Sequence, residues 1–127
     1  MMGPKVITAL TAVTTTTTSG NIWVGNYKKI AILVRAASIT SGNGVFTVKG
    51  GFAESPSTSP TFTALNTLID NVTNTNGQQL TRVASKTLSG NGDAFLWLSP
   101  ETPVTHLQVI GTVTTDGAYS AFVIGWE

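Results

Sequence analysis

Apolar and polar residues alternate with a period of two along most of this chain. Near the C-terminus, Leu107, Val109 and Val113 share one face while His106, Gln108 and Thr112 share the other, the spacing of a half-buried strand. Beyond Asp116-Gly117, Phe122, Ile124 and Trp126 alternate with Ala121, Val123 and Gly125. Both faces of this segment are apolar or small, so it is expected to lie centrally in a sheet or beneath a neighbour. Ile30-Ala31-Ile32-Leu33-Val34, ending at Arg35, reads the same way.

Turn signals separate such runs: Ser19-Gly20-Asn21, Ser41-Gly42-Asn43-Gly44, Asn76-Gly77, Ser89-Gly90-Asn91-Gly92 and Asp116-Gly117. Asn-Gly and Asp-Gly accept the positive φ angles of tight hairpins, so hairpin turns are expected there. Strands are expected at Val6–Thr18, Ile22–Gly25, Lys28–Ala37, Val45–Phe52, Thr61–Leu65, Gln79–Leu88, Ala94–Leu98, Val104–Val113 and Ala118–Trp126. Short strands at this spacing predict one all-β domain over residues 1–127, a jelly-roll-like antiparallel β-sandwich of about eight or nine strands. At most one short helix is expected, over Thr63–Val72, where Leu65, Leu68, Ile69 and Val72 form an apolar stripe. Ala53–Pro60 is a polar loop bounded by Pro.

Composition narrows the function more by exclusion than by suggestion. Of 127 residues, 22 are Thr, 10 Ser and 8 Asn, and 10% are charged, against about 25% in a typical soluble protein. The formal net charge of +1 provides no electrostatic footprint for nucleic acid or an anionic membrane. No Cys is present, which removes disulfides, thiol nucleophiles and Cys-ligated metals. No stretch approaches the ~18 consecutive apolar residues that cross a bilayer as a helix. After Lys5, Thr8 and Thr11 interrupt the apolar run to Val13 and no small-x-small cleavage site follows. A chain made and kept in a cytoplasm until something assembles it, without signal removal, is the expectation.

No constellation of catalytic residues stands out. His106 is the single imidazole and sits on the polar-reading face of its strand, where an ordinary surface or interface histidine is expected. Glu54, Asp70, Asp93, Glu101, Asp116 and Glu127 are scattered singly, so neither a glycosidase pair nor a calcium loop around Asp93 is built. The Gly-rich stretches match no phosphate-cradling motif and lack strand–helix context. An enzyme is therefore not expected, nor is a metal or cofactor. Trp23, Trp97, Trp126, Tyr27 and Tyr119 could make a sugar-stacking platform, but Trp97 and Trp126 lie in apolar strands, where core packing is the simpler expectation.

Strand arithmetic points to assembly. Val6–Thr18 holds no Gly or Pro and would extend about 43 Å at ~3.3 Å per residue, whereas sandwich strands usually run about five or six residues. Either it bends across both sheets, or residues 1–18 form an arm that pairs with another chain, with Val6, Ile7, Leu10 and Val13 as its apolar contacts. Thirteen formal charges guarding about nine strands also favour assembly that covers sheet edges.

The Thr-rich opening strand, Val24-Gly25-Asn26-Tyr27-Lys28-Lys29-Ile30, Val45-Phe46-Thr47-Val48-Lys49-Gly50, the Ser/Pro loop before Phe62-Thr63-Ala64-Leu65, and an expected closing hairpin over Thr105–Glu127 resemble the small jelly-roll or β-sandwich structural proteins of tailed-phage virions. These include capsid decoration and accessory proteins. The resemblance implies a non-enzymatic virion component without a cofactor. It would be a homo-oligomer, a trimer by that analogy, seated on the major capsid protein or another virion component. A carbohydrate-binding or adhesion module is the alternative that the fold class and aromatic content allow.

Overall fold

The structure, a computed structural model, describes residues 3–70 and 81–127. Among these residues the chain forms strands and no helix: β1 (Lys5–Val13), β2 (Thr17–Thr18), β3 (Ile22–Trp23), β4 (Lys29–Ala37), β5 (Asn43–Gly51), β6 (Thr63–Ala64), β7 (Leu68–Asp70), β8 (Thr81–Val83), β9 (Ser85–Leu88), β10 (Gly92–Trp97), β11 (His106–Thr114) and β12 (Ala118–Trp126). One sheet runs β1-β12-β4-β10-β7-β8. The other is built on the β11–β5 pair, with β2 and β3 along β11 and with β6 and β9 along β5. Every pairing is antiparallel. The expected β-sandwich is present, with twelve strands rather than eight or nine, because Val6–Thr18 and Gln79–Leu88 each hold two strands and Leu68–Asp70 adds one where a helix was expected.

The alternation predicted for β11 and β12 sets the core. Val109 pairs Val48 and Leu107 pairs Gly50 on the inner face of one sheet. Val123 pairs Ile32 and Ala121 pairs Val34 on the inner face of the other. Val48, Val109, Leu107, Ile32, Val34, Ala121 and Val123 are all fully buried. Across the sandwich, Phe46 meets Tyr119 edge to face at 6.1 Å, a favourable aromatic geometry.

The long N-terminal segment divides and crosses between the sheets. β1 pairs along β12, with register shifts on either side of Leu10 and a positive φ at Ala12. β2 then pairs β11 in the opposite sheet. Hydroxyls on either side of β2 supply acceptors to β11: Val113 N–H donates to Thr16 Oγ1 at 3.1 Å and Val109 N–H to Ser19 Oγ at 2.9 Å. These side-chain bonds satisfy β11 donors beyond the two-residue ladder. Of the four expected contact residues, Leu10 is 3% exposed in the core, with Ile7 and Val13 packed against it, and Val6 is 59% exposed. The length that suggested an arm is thus accommodated within one chain, by bending.

Two further expectations are corrected. The stripe at Leu65, Leu68 and Ile69 forms no helix: Thr63–Ala64 pairs β5, whereas Leu68–Asp70 lies between β10 and β8 in the other sheet. Leu68 is buried and Ile69 half-buried, a period of two rather than 3.6. Val72, the Asn76-Gly77 turn and Gln79–Leu80 lie outside the described residues. Nor do the Gly-Asn and Asp-Gly turns close hairpins. The connections β4→β5, β9→β10 and β11→β12 each pass from one sheet to the other, making corners of the sandwich.

Candidate functional site

Cross-strand register decides what each face presents, because directly opposed residues of antiparallel strands share a face. On the outer face of the β1-β12-β4-β10-β7-β8 sheet, Val6, Ile124, Ala31, Trp97 and Ile69 form one continuous row across β1, β12, β4, β10 and β7. The next row is Thr8, Phe122, Leu33 and Phe95. Trp126 opposes Lys29 beyond the first row, and Ser120, Arg35 and Asp93 line up beyond the second. The centre of this face is therefore aliphatic and aromatic. Val6 and Phe95 are 59% and 43% exposed, and the neighbouring Phe122, Ile124, Leu33 and Trp97 are half-buried.

The outer face of the other sheet is different in kind. Its rows read Gln108 with Lys49 and Ala64, Thr18 with Ile110, Thr47 and Ser85, and Thr112 with Val45 and Thr87. Hydroxyls, an amide and an ammonium dominate it. One chain thus carries a solvent-adapted face and an apolar face over which no other strand or loop of the described residues packs.

Charged groups sit at the margins of the apolar face. The Trp97 and Trp126 rings stack with centroids 5.6 Å apart and planes 27° from parallel, and Lys29 Nζ lies 4.7 Å from the Trp97 centroid. A cation over an indole face is attracted by the ring quadrupole. At the other margin Arg35 donates from Nε and Nη2 to the two Asp93 carboxylate oxygens at 2.8 and 3.0 Å, and its guanidinium lies 5.6 Å from the Phe122 ring. These two-point hydrogen bonds hold the Asp93 carboxyl below its ordinary range and raise the Arg35 guanidinium further. Beside the indole pair, Lys28, Lys29, Ile69, Trp97, Leu98 and Pro100 line an open hollow of about 350 Å³. A polar rim around an apolar centre is the anatomy of a protein interface.

Several sequence expectations change here. Trp97 and Trp126 belong to the outer face rather than the core, because the small residues Ala121 and Gly125 occupy the inward positions of β12. His106 is 1% exposed rather than a surface residue. It projects on the polar side of β11, where the 53–60 loop covers it: Nε2 lies 3.3 Å from the Pro56 carbonyl, Nδ1 lies 3.0 Å from Thr105 Oγ1, and the Trp23 ring packs at 5.1 Å. Because a carbonyl only accepts, Nε2 donates to Pro56, and the imidazole ties the 53–60 loop to β11. Asp93 is engaged with Arg35, and Asp70 with Lys86 at 3.0 Å. Of the four expected contacts, only Val6 projects onto the apolar face; Leu33, Phe95 and Phe122 were not singled out, although apolar runs on both faces of their strands were the available signal.

No protein-family model matches the chain, and no curated protein matches it. Among solved structures, it is similar to the crystal structure of the SPBc2 prophage-derived protein YomS, with a TM-score of 0.59 and 14% sequence identity. The likeness covers 97% of this chain and 94% of that one. At that identity it establishes a shared fold, a β-sandwich over nearly the whole length of both proteins.

Proposed function

We propose that this chain is a non-enzymatic structural protein of a tailed-phage virion, a capsid decoration or accessory protein made in the host cytoplasm and incorporated into the particle. The observation that carries the reading is the apolar outer face of the β1-β12-β4-β10 sheet, with Val6 and Phe95 exposed on it among the described residues, set against a Thr- and Ser-rich face on the opposite sheet. Apolar patches of this extent on a small domain mark surfaces that bind another protein. The fold shared with a prophage-derived protein adds weight to a phage setting. The partners are other copies of the chain and the major capsid protein or another virion component, without nucleic acid or membrane.

The aromatic content of the same face favours a carbohydrate-binding or adhesion module as the second reading. Against it, Trp97 and Trp126 already use ring faces on each other and on Lys29, faces that a stacked sugar would need. The test is mass spectrometry of density-purified phage particles released by cells that carry the gene. Peptides of this chain in stoichiometric ratio to the major capsid protein are expected. A chain that is expressed but stays entirely in the soluble lysate overturns the proposal.

A further inference from the structure

We infer that the hollow beside Trp97 binds a small organic anion, a flat apolar body that carries one carboxylate. The inference goes beyond the virion reading and does not depend on it. The hollow opens where β4 begins and β10 ends, and its volume of about 350 Å³ falls at the small end of the range for ligand pockets.

The lining selects the ligand class. Ile69, Trp97, Leu98 and Pro100 form apolar walls, and Lys28 and Lys29 supply ammonium groups. None of these six side chains carries a hydroxyl, an amide or a carboxylate. A neutral sugar would place its hydroxyls against walls with no side-chain acceptor. A cationic ligand would meet two like charges. An anion on an apolar body suits both halves of the lining. The Trp97 wall is also held in position, by the Trp126 ring at 5.6 Å and by Lys29 Nζ at 4.7 Å from its centroid. A wall already in place costs little ordering when a ligand packs on it. The ammonium above it keeps N–H groups directed away from the ring.

Positive charge gathers here without matching acids. Of seven Lys and Arg residues in the chain, Lys28 and Lys29 line the hollow, and Arg82 directly opposes Ile69 at the end of the same outer row. All six acidic side chains belong to the described residues. Asp70 pairs with Lys86, Asp93 with Arg35, and Asp116 accepts backbone N–H groups. Glu101 reaches Arg82 at 3.9 Å, Glu127 lines a separate cavity with Lys5, and Glu54 lies on the 53–60 loop. Neither Lys28 nor Lys29 forms an ion pair among the described residues.

Titration of the isotope-labelled chain with 2-naphthoate, followed by NMR, tests the site. The Trp97 indole N–H and the backbone amides of Lys28, Lys29, Ile69 and Leu98 should shift together and saturate, with a Kd below about 1 mM. The neutral analogue 2-naphthamide should bind at least about fivefold more weakly, and added salt should weaken the acid alone. Lys28→Gln/Lys29→Gln should lower the affinity for naphthoate at least about fivefold. Lys49→Gln, on the opposite outer face, should leave it unchanged. Equal affinity of the wild-type chain for acid and amide overturns the inference without recourse to a variant. So does unchanged affinity in the double lysine variant, or no saturation by about 5 mM. Shifts of equal size at Val6, Phe95 and Phe122 would also overturn it, by showing general adhesion to the apolar face. Presence in purified particles remains the separate test of the virion reading.

Discussion

The indole of Trp126 lies against that of Trp97, 5.6 Å between centroids, with β4 between their strands and Lys29 Nζ 4.7 Å from the Trp97 ring. The three side chains form a stack on the outer face of one sheet, held by offset aromatic contact and by the ammonium. A double-mutant cycle of Trp97→Ala and Trp126→Ala should give a coupling of about 1 kcal/mol. Urea unfolding of the four proteins measures it. Strictly additive losses would show that the rings touch without interacting.

Lys86 of β9 and Asp70 of β7 join the two sheets through a single contact of 3.0 Å, with side chains 23% and 11% exposed. Removing one partner strands the other near the interior. Lys86→Met is therefore expected to cost about 2 kcal/mol, less than the loss at a fully dry pair because water still reaches the lysine. The double variant Asp70→Leu/Lys86→Met should recover most of that loss. If it is less stable than Lys86→Met alone, the carboxylate has another partner.

Asp116 ties the β4→β5 and β11→β12 corners together. Its carboxylate accepts the backbone N–H of Thr40 at 3.2 Å, of Ser41 at 3.3 Å and of Gly42 at 2.9 Å. Those donors, Thr40 foremost, lower its pKa below the usual 3.8. A lowered folded pKa means the unfolded chain takes up the proton first as pH falls. The contribution is complete well above pH 3.8 and is lost as pH drops through the depressed value. Melting temperature measured from pH 6 to pH 2 should decline most steeply below about pH 4. Asp116→Asn should melt lower at pH 6 and show a shallower decline. An unchanged slope in the variant would remove Asp116 from the acid transition.

Gly44 faces the Tyr119 ring. A Cβ at Gly44 would stand 2.5 Å from Cδ1 and Cε1 of that ring, which is fully buried and tied through its hydroxyl to the Asp116 carbonyl at 2.7 Å. The ring has no free direction to yield, so Gly44→Ala should destabilise the fold by about 1–3 kcal/mol. Gly90→Ala, where a Cβ meets nothing within 4 Å, is the control and should change stability little. Equal effects at the two positions would contradict the packing.

The strands themselves were legible because a period of two survives in β11 and β12 whatever surrounds them, and because Thr, Val, Ile and aromatic residues suit a pleated surface. The turn at Asp116-Gly117 was legible for a related reason: Gly117, at φ +111°, occupies a conformation that side chains resist. What local pattern leaves open is the sheet that the chain enters after a turn. Ser41-Gly42-Asn43-Gly44 and Asp116-Gly117 can close a hairpin or turn a corner with the same residues. Here Phe46 on β5 reaches across to Tyr119 on β12, a contact made only when each turn sends the chain to the opposite layer.

The same limit applies to the apolar face. With apolar or small residues on both sides of β4 and β12, alternation cannot tell the core side from the outer side. The tertiary structure decides it by which face the opposite sheet covers. Tyr119, Ala121 and Val123 are fully buried on the inner face, and the inward side of Gly125 is filled by the Tyr27 ring. Phe122, Ile124 and Trp126 are left outside, in line with Leu33, Ala31 and Lys29. His106 follows the same logic in reverse. Its polar-facing position was readable from alternation, but its burial depends on a loop fifty residues away that closes over it through the Pro56 carbonyl, a contact no local pattern contains.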